Sequence, residues 1–285
     1  MIYFLTVNYY STNLVNKLIN SISVNRNIPQ KTIIVNNSSD DSSIHLLKTE
    51  SVHIFDAASN LGFGSACNLG LNWIYIQDPQ ALIWIINPDA YLSENTLEKV
   101  TPFFEKHPQV SILGTIIYTN TGQIWFAGGR FIPQNGAIIT INTLTDSHTY
   151  IPCDWVSGCS LLINLCNFQQ CPQFDPAYFL YYEDFDFCRR YASLGHIVGV
   201  TKDLAVIHQP SAIANRNIFV KIKHSTYSYL LTIERYTSKL VLLLRLTRLI
   251  CHALVLILFK PQTAFGKLYG VLLYLRRSLH SFNGT

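Results

Sequence analysis

The chain has 285 residues, enough for one large α/β domain and an appendage, and it is 49% hydrophobic but only 13% charged. Its formal charge of +4 is unevenly spread: residues 216–285 hold eleven Lys or Arg against one acid, Glu234, and carry +10, while residues 1–215 carry −6. No run of eighteen uncharged apolar residues occurs, which argues against a spanning helix, and the seven cysteines form neither CxxC nor a zinc spacing, which fits a reducing compartment.

The chain opens on MIYFLTVNYYS with no basic leader, so residues 2–7 read as a first strand rather than a signal peptide. LVNKLINSIS (14–23) has amphipathic helical spacing, and KTIIV (31–35) is a second strand closed by the turn-rich NNSSDDSS. VHIF (52–55) is a third, and the glycine-containing NLGFGSACNLGLNWIY enters a helix. ALIWII (81–86) is a continuous apolar run, as in a strand buried on both faces of a parallel sheet. Asn87, Pro88 and Asp89 end it, and Ser93, Thr96 and Glu98 begin an amphipathic helix. Residues 109–150 read as short strands and a hairpin, 154–163 as a buried strand, and 196–200 and 204–208 as two more. Such strand–helix alternation predicts a mostly parallel, doubly wound α/β sheet.

Asn8, Asn36, Asn60 and Asp89 each follow a predicted strand, so in a parallel sheet all four reach one edge, where open α/β sheets bind ligands. Asp89 can offer a hard oxygen to a divalent cation carrying a diphosphate, or can simply cap the loop. Gly62 and Gly64 in NLGFG suit a phosphate loop or a plain turn. No GxGxxG follows the first strand and no GxxxxGK[ST] occurs, which argues against dinucleotide dehydrogenases and P-loop ATPases. In YYEDFDFCRR (181–190), Glu183, Asp184 and Asp186 follow an aromatic run. Carboxylates in such a setting are either first-turn complements to a helix dipole or paired, metal-bound or catalytic groups. Asp186 has Arg189 and Arg190 one turn on and reads as structural. Trp155 suits the core or a sugar platform equally.

Seven segments, in this order, resemble family-2 glycosyltransferases, and within them the rhamnosyltransferase-like branch: TVNYYS (6–11), VNNSSDDS (35–42), NLGFGSACNLGL (60–71), INPDA (86–90), DWVSGCSLLI (154–163), FDPAYFLYYEDFDFCRR (174–190) and AVIHQPSAI (205–213). The resemblance implies a GT-A fold and inverting transfer of a sugar from a nucleotide-sugar, aided by Mg²⁺ or Mn²⁺. It implies that Asn8 and Tyr9 line the base pocket, with Asn36 where the family usually has a base-contacting Asp. It places Asn60 on the loop closing over the nucleotide, Asp89 as last residue of a metal-binding DXD whose first position is Asn87, and His208 near the metal or diphosphate. Asp184 matches the catalytic base, with Glu183 beside it, and Gly158 lies near the acceptor.

The expected layout is a GT-A domain over 1–215, with a nucleotide-sugar part to about 105 and an acceptor part beyond, then a basic amphipathic helical tail over 216–285. In that tail KLVLLLRLTRLICHALVLILFK (239–260) and LYGVLLYLRRSLHSF (268–282) set cations beside apolar faces. This fits helices lying on an anionic membrane, or helices packing on the body or in an oligomer. The tail is too apolar for nucleic acid and holds no reader motif. The expected enzyme is a peripheral glycosyltransferase on the cytoplasmic face of a membrane, using dTDP-rhamnose by branch resemblance, with a glycan or lipid-linked saccharide as acceptor. The alternatives are a sugar-1-phosphate nucleotidyltransferase, whose basic Gly-rich N-terminal loop is missing from TVNYYSTN, and a non-catalytic scaffold.

Overall fold

The computed structural model describes residues 1–23, 28–143, 149–209 and 217–282. In chain order these form β1 (Ile2–Asn8), α1 (Thr12–Ser23), β2 (Gln30–Asn36), β3 (Val52–Asp56), α2 (Phe63–Gln77), β4 (Leu82–Ile86), β5 (Ala90–Leu92) and α3 (Val100–Lys106). There follow β6 (Val110–Thr119), β7 (Ile124–Phe126), β8 (Gly129–Ile132), β9 (Ala137–Thr140), β10 (Tyr150–Pro152), β11 (Ser160–Asn164), α4 (Glu183–Ser193) and β12 (Ile197–His208). Three helices end the chain: α5 (Ile218–Tyr236), α6 (Lys239–Leu256) and α7 (Pro261–Phe282).

The main sheet runs β10-β12-β6-β11-β4-β1-β2-β3, with β5 on β12 and β7 on β6. The β4-β1-β2-β3 half is parallel throughout, so Asn8, Asn36, Asp56 and the β4 end share one edge. β11 is antiparallel to both neighbours, and β6 and β12 are parallel to each other. The result is a mixed sheet with a parallel majority, as the alternating pattern predicts. Strands β1 and β4 are buried nearly end to end, which explains their unbroken apolar sequence. Phe4 stacks on Trp84 at 5.4 Å, and the Trp84 indole and the Thr115 hydroxyl each donate to Ser160 Oγ at 2.9 Å, so the buried polar groups are satisfied.

Three sequence expectations are revised. Residues 196–200 and 204–208 are one strand, β12, interrupted by a register shift between Thr201 and Ala205, because the exposed Lys202 breaks the apolar run without ending the pairing. The strand expected over 154–163 is confined to β11, since 157–159 turn at the sheet edge. The short β5 lies between β4 and the helix expected near Ser93, and that helix starts only after a 3₁₀ turn at Leu97–Lys99.

The chain divides into two compact units. The first comprises Met1–Arg130, Ile139–Ala177 and Glu183–Pro210, and the second Phe131–Ile138, Tyr178–Tyr182 and Ser211–Thr285. The boundary expected near residue 215 lies outside the described residues. In the second unit, Asn217 and Ser238 cap α5 and α6 by accepting from the amides of Val220 and Val241, and Pro261 starts α7. Gly266 and Gly270 let α7 lie close on α5: a Cβ at Gly270 would stand 2.6 Å from the Lys223 carbonyl oxygen. Leu230, Val271 and Tyr274 form the small core between these helices.

Candidate active site

The polar strand ends meet through hydrogen bonds. Asn8 Nδ2 donates to Asn36 Oδ1 at 3.0 Å, and Asn36 Nδ2 donates to Asp56 Oδ1 at 2.9 Å. Asn37, one residue beyond β2, is also buried and organises the glycine loop. Its Nδ2 donates to Asn60 Oδ1 at 2.9 Å, and its Oδ1 accepts from the Leu61 amide at 2.8 Å. Asn60 Oδ1 in turn accepts from the Gly62 amide at 3.0 Å. Gly62 has φ +80° and precedes α2, a left-handed turn that disfavours any residue with a Cβ. Gly64 lies one step inside α2, where a Cβ would meet Phe174 at 2.8 Å. Tyr9 is 38% exposed at the end of β1, and its ring lies 4.9 Å from that of Tyr10.

Asp89 follows β4 and is nearly buried. β5 then pairs antiparallel with β12, setting His208 opposite Ala90, and the Gln209 amide donates to the Asp89 carbonyl at 2.9 Å. This pairing brings together side chains 119 positions apart: His208 Nε2 lies 3.2 Å from Asp89 Oδ1. His208 Nδ1 is buried without a hydrogen-bond partner. A carboxylate oxygen beside an imidazole with one buried nitrogen unused suits a divalent cation that takes its remaining ligands from phosphate oxygens and water. Among the described residues no group of three or more His, Cys, Asp or Glu could hold a metal by itself. The donor set therefore fits an ion arriving with a diphosphate rather than a closed protein cage.

Glu183 and Asp184 begin α4, directly after Tyr181 and Tyr182, whose φ of +68° and +64° are rare for residues with side chains. Three carboxylates in the first turn complement the helix dipole. Their partners differ. Asp186 is fully buried and accepts from Arg190 Nε at 2.6 Å, the structural pairing expected from the sequence, while Arg189 turns to Asp154 at 2.7 Å. Asp184 accepts from the Gly158 amide at 2.9 Å and from the Phe185 amide at 2.8 Å. Glu183 is buried with Oε2 unpartnered. Burial raises both carboxyls, and for Glu183 the neighbouring Asp184 charge adds to the effect. Asp184, held by two amides, is the one that ionises first.

The turn 157–159 links these two carboxylate sites. Gly158 donates to Asp184, and the Cys159 carbonyl accepts from the Asn87 amide at 2.9 Å. The Cys159 thiol is pushed well up by burial and then by the charges of both Asp89 and Asp184. A Cβ on Gly158 would stand 3.3 Å from the Asp184 Cβ, so this position favours glycine through close approach. Asp184 and Asp89 thus both lie near one turn.

Sequence reasoning missed Asn37 and Trp125. Trp125 is 40% exposed on β7, with its ring 4.9 Å from the His208 ring. Trp155, by contrast, packs against Phe126 at 5.0 Å and is nearly buried, which makes it a core residue. All seven cysteines are free thiols.

The protonation of Glu183 has a measurable consequence. Its folded-state pKa lies well above the ordinary 4.5, so its contribution to stability is fully present below 4.5 and is lost as pH rises through the raised value. Glu183→Gln removes that loss, and its Tm should exceed wild type by several degrees at pH 8 and by little at pH 4.5. Calorimetry showing a Tm difference independent of pH would contradict this account of Glu183.

The sheet brings asparagines and a carboxylate–histidine pair to one edge, with a carboxylate-rich helix start beside it, in an α/β fold whose structural neighbours are GT-A glycosyltransferases. Residues 5–162 match the model of Glycosyl transferase family 2, and the chain belongs to that family of enzymes. The N-acetylglucosaminyl-diphospho-decaprenol L-rhamnosyltransferase of Mycobacterium tuberculosis is 22% identical over 243 residues, covering 76% of this chain and 79% of that one. Among solved structures, GalNAc-T7 with UDP, GalNAc and Mn²⁺ aligns with a TM-score of 0.61 at 12% identity over 82% of this chain, which spans only 47% of that one. The mannosyltransferase PcManGT from Pyrobaculum calidifontis, in complex with GDP-Man and Mn²⁺, aligns at 0.56 and 10% identity over 96% of this chain and 86% of its own. At these identities the structural likeness speaks for the fold.

Proposed function

We propose that this glycosyltransferase is inverting and metal-dependent, and that it moves L-rhamnose from dTDP-rhamnose to a lipid-linked saccharide at the cytoplasmic face of a membrane. The observation that carries the mechanism is that Asp184 accepts from the Gly158 amide of the turn 157–159, while Asn87, two residues before the His208-paired Asp89, donates to Cys159 of the same turn. The rhamnosyltransferase relative supports the donor sugar and a polyprenyl-diphosphate acceptor, and the Mn²⁺-bound neighbours support a divalent ion.

Asp184 takes the proton from the acceptor hydroxyl. The acceptor oxygen bonds to the anomeric carbon as the bond from that carbon to the diphosphate oxygen breaks, and the electron pair leaves with the nucleoside diphosphate. Asp89 and His208 would hold the divalent ion, which supplies positive charge against the charge developing on the diphosphate. Asn8, Tyr9 and Asn36 serve the base side of the cleft, and Asn60 and Gly62 serve the loop over the nucleotide. Asn36 stands where the family has a charged acceptor toward the base, but its amide oxygen already accepts from Asn8 Nδ2 and the Ser38 amide, so its role there is to fix Asn8 and the loop after β2. Trp125 offers an aromatic surface beside His208 for a sugar ring.

Membership of the family sets aside the nucleotidyltransferase alternative, and the presence of both Asp89 and Asp184 argues against a scaffold. Thermal shift across dTDP-, UDP- and GDP-sugars, each with and without Mn²⁺, tests the donor. The proposal expects the largest shift from dTDP-rhamnose with Mn²⁺. A larger shift from another nucleotide-sugar would overturn the donor, and equal shifts in EDTA would overturn the metal.

A further inference from the structure

We propose that α6 and the turn after it form a docking surface for an anionic lipid bilayer. This deepens the lipid-linked-acceptor reading and rests on it for its purpose, though not for its evidence.

A helix on a soluble body normally turns its polar side outward. α6 is apolar on both sides. Leu242, Leu246, Leu249 and Ile250 face inward and pack on the Leu230–Val271–Tyr274 cluster. Leu240, Leu243, Leu244 and Leu254 recur at helical spacing on the opposite side and are all more than half exposed. Leu258 and Phe259, in the turn that follows, are 81% and 75% exposed. Continuous apolar surface left to water marks an interaction site.

The charges identify the occupant. α6 contains no acidic residue, and Arg248 is exposed at the edge of its outward face. The tail's one acid, Glu234, is paired with Arg277 at 2.8 Å. A second copy would bring another +10 tail against this one, and like charges facing each other disfavour that pairing. An anionic bilayer complements both features at once: acyl chains for the leucines, headgroups for the cations. The helix lies on the surface rather than through it. Its 18 residues span about 27 Å, and among the described residues no helix is long and apolar enough to cross a membrane.

The test uses the full chain with sucrose-loaded phosphatidylcholine vesicles, with and without a quarter phosphatidylglycerol, at low and high salt. Wild type should sediment with the anionic vesicles at low salt and in part at high salt. Leu243→Asp combined with Leu258→Asp should weaken that binding at least tenfold while leaving Tm and nucleotide-sugar hydrolysis unchanged, since both side chains point to solvent. Arg248→Glu should reduce the low-salt component. Vesicle binding that ignores the double leucine variant would overturn the proposal, as would a wild-type chain that stays in the supernatant or forms a dimer broken by the same variant. No acceptor is present in this assay, so a wrong acceptor leaves its outcome unchanged.

Discussion

Asp184→Asn should lower kcat by about 10²–10⁴, the usual contribution of a general base, while nucleotide-sugar affinity stays near wild type. The substitution keeps size but not both hydrogen bonds: Gly158 donates to Oδ2 and Phe185 to Oδ1, so the Asn oxygen retains one amide and its NH2 faces the other, and the loss of basicity comes with the loss of one hydrogen bond at the start of α4. The wild-type pH profile supplies a second readout. Burial raises the Asp184 carboxyl above its ordinary 3.8, and a base works only when deprotonated, so kcat/KM should fall as pH drops through that raised value. The Asn variant should lose this acid limb. Steady-state transfer across pH 4.5–8.5 checks both, and wild-type turnover in the Asn variant would remove Asp184 from the chemistry.

Asp89→Ala should cost about 10³ in kcat/KM, on the scale of removing an electrostatic contact that strengthens as charge develops. It should also abolish any stimulation by Mn²⁺. The substitution deletes the carboxylate and leaves both His208 ring nitrogens without a partner in a buried setting. Titration calorimetry of dTDP in the presence of Mn²⁺ should show weakened binding, with the difference between Mn²⁺ and EDTA gone. If wild type binds and transfers fully in EDTA, the nucleotide is held by His208 and helix dipoles instead.

Much of the parallel part of the sheet was legible because its strands β1 and β4 are buried on both faces and so appear as continuous apolar runs, as in 2–7 and 81–86. β5 was not legible: three residues carry no period, and the strand exists because β12 pairs with it. That pairing is what sets His208 on Asp89, a contact the sequence suggested only through motif order. β12 looked like two strands because its bulge interrupts the pattern, while the pairing with β6 continues on both sides of it. Asn36 and Asn37 offer identical chemistry in sequence. Only register separates them, one paired with Asn8 and the other free to organise the glycine loop. Trp125 sits in a three-residue strand and gave no signal. In the tail, composition showed cations beside leucines but not which side of α6 its neighbours cover; packing decides that.

The most direct measurement for the single-displacement account is the anomeric configuration of the transferred sugar. dTDP-rhamnose, Mn²⁺ and a polyprenyl-diphospho-N-acetylglucosamine acceptor would be incubated with the full chain, and the product's one-bond anomeric C–H coupling read by NMR. Direct attack by a hydroxyl deprotonated by Asp184, opposite the departing diphosphate, predicts that the product carries the configuration opposite to the donor's. A product with the donor's own configuration would contradict it.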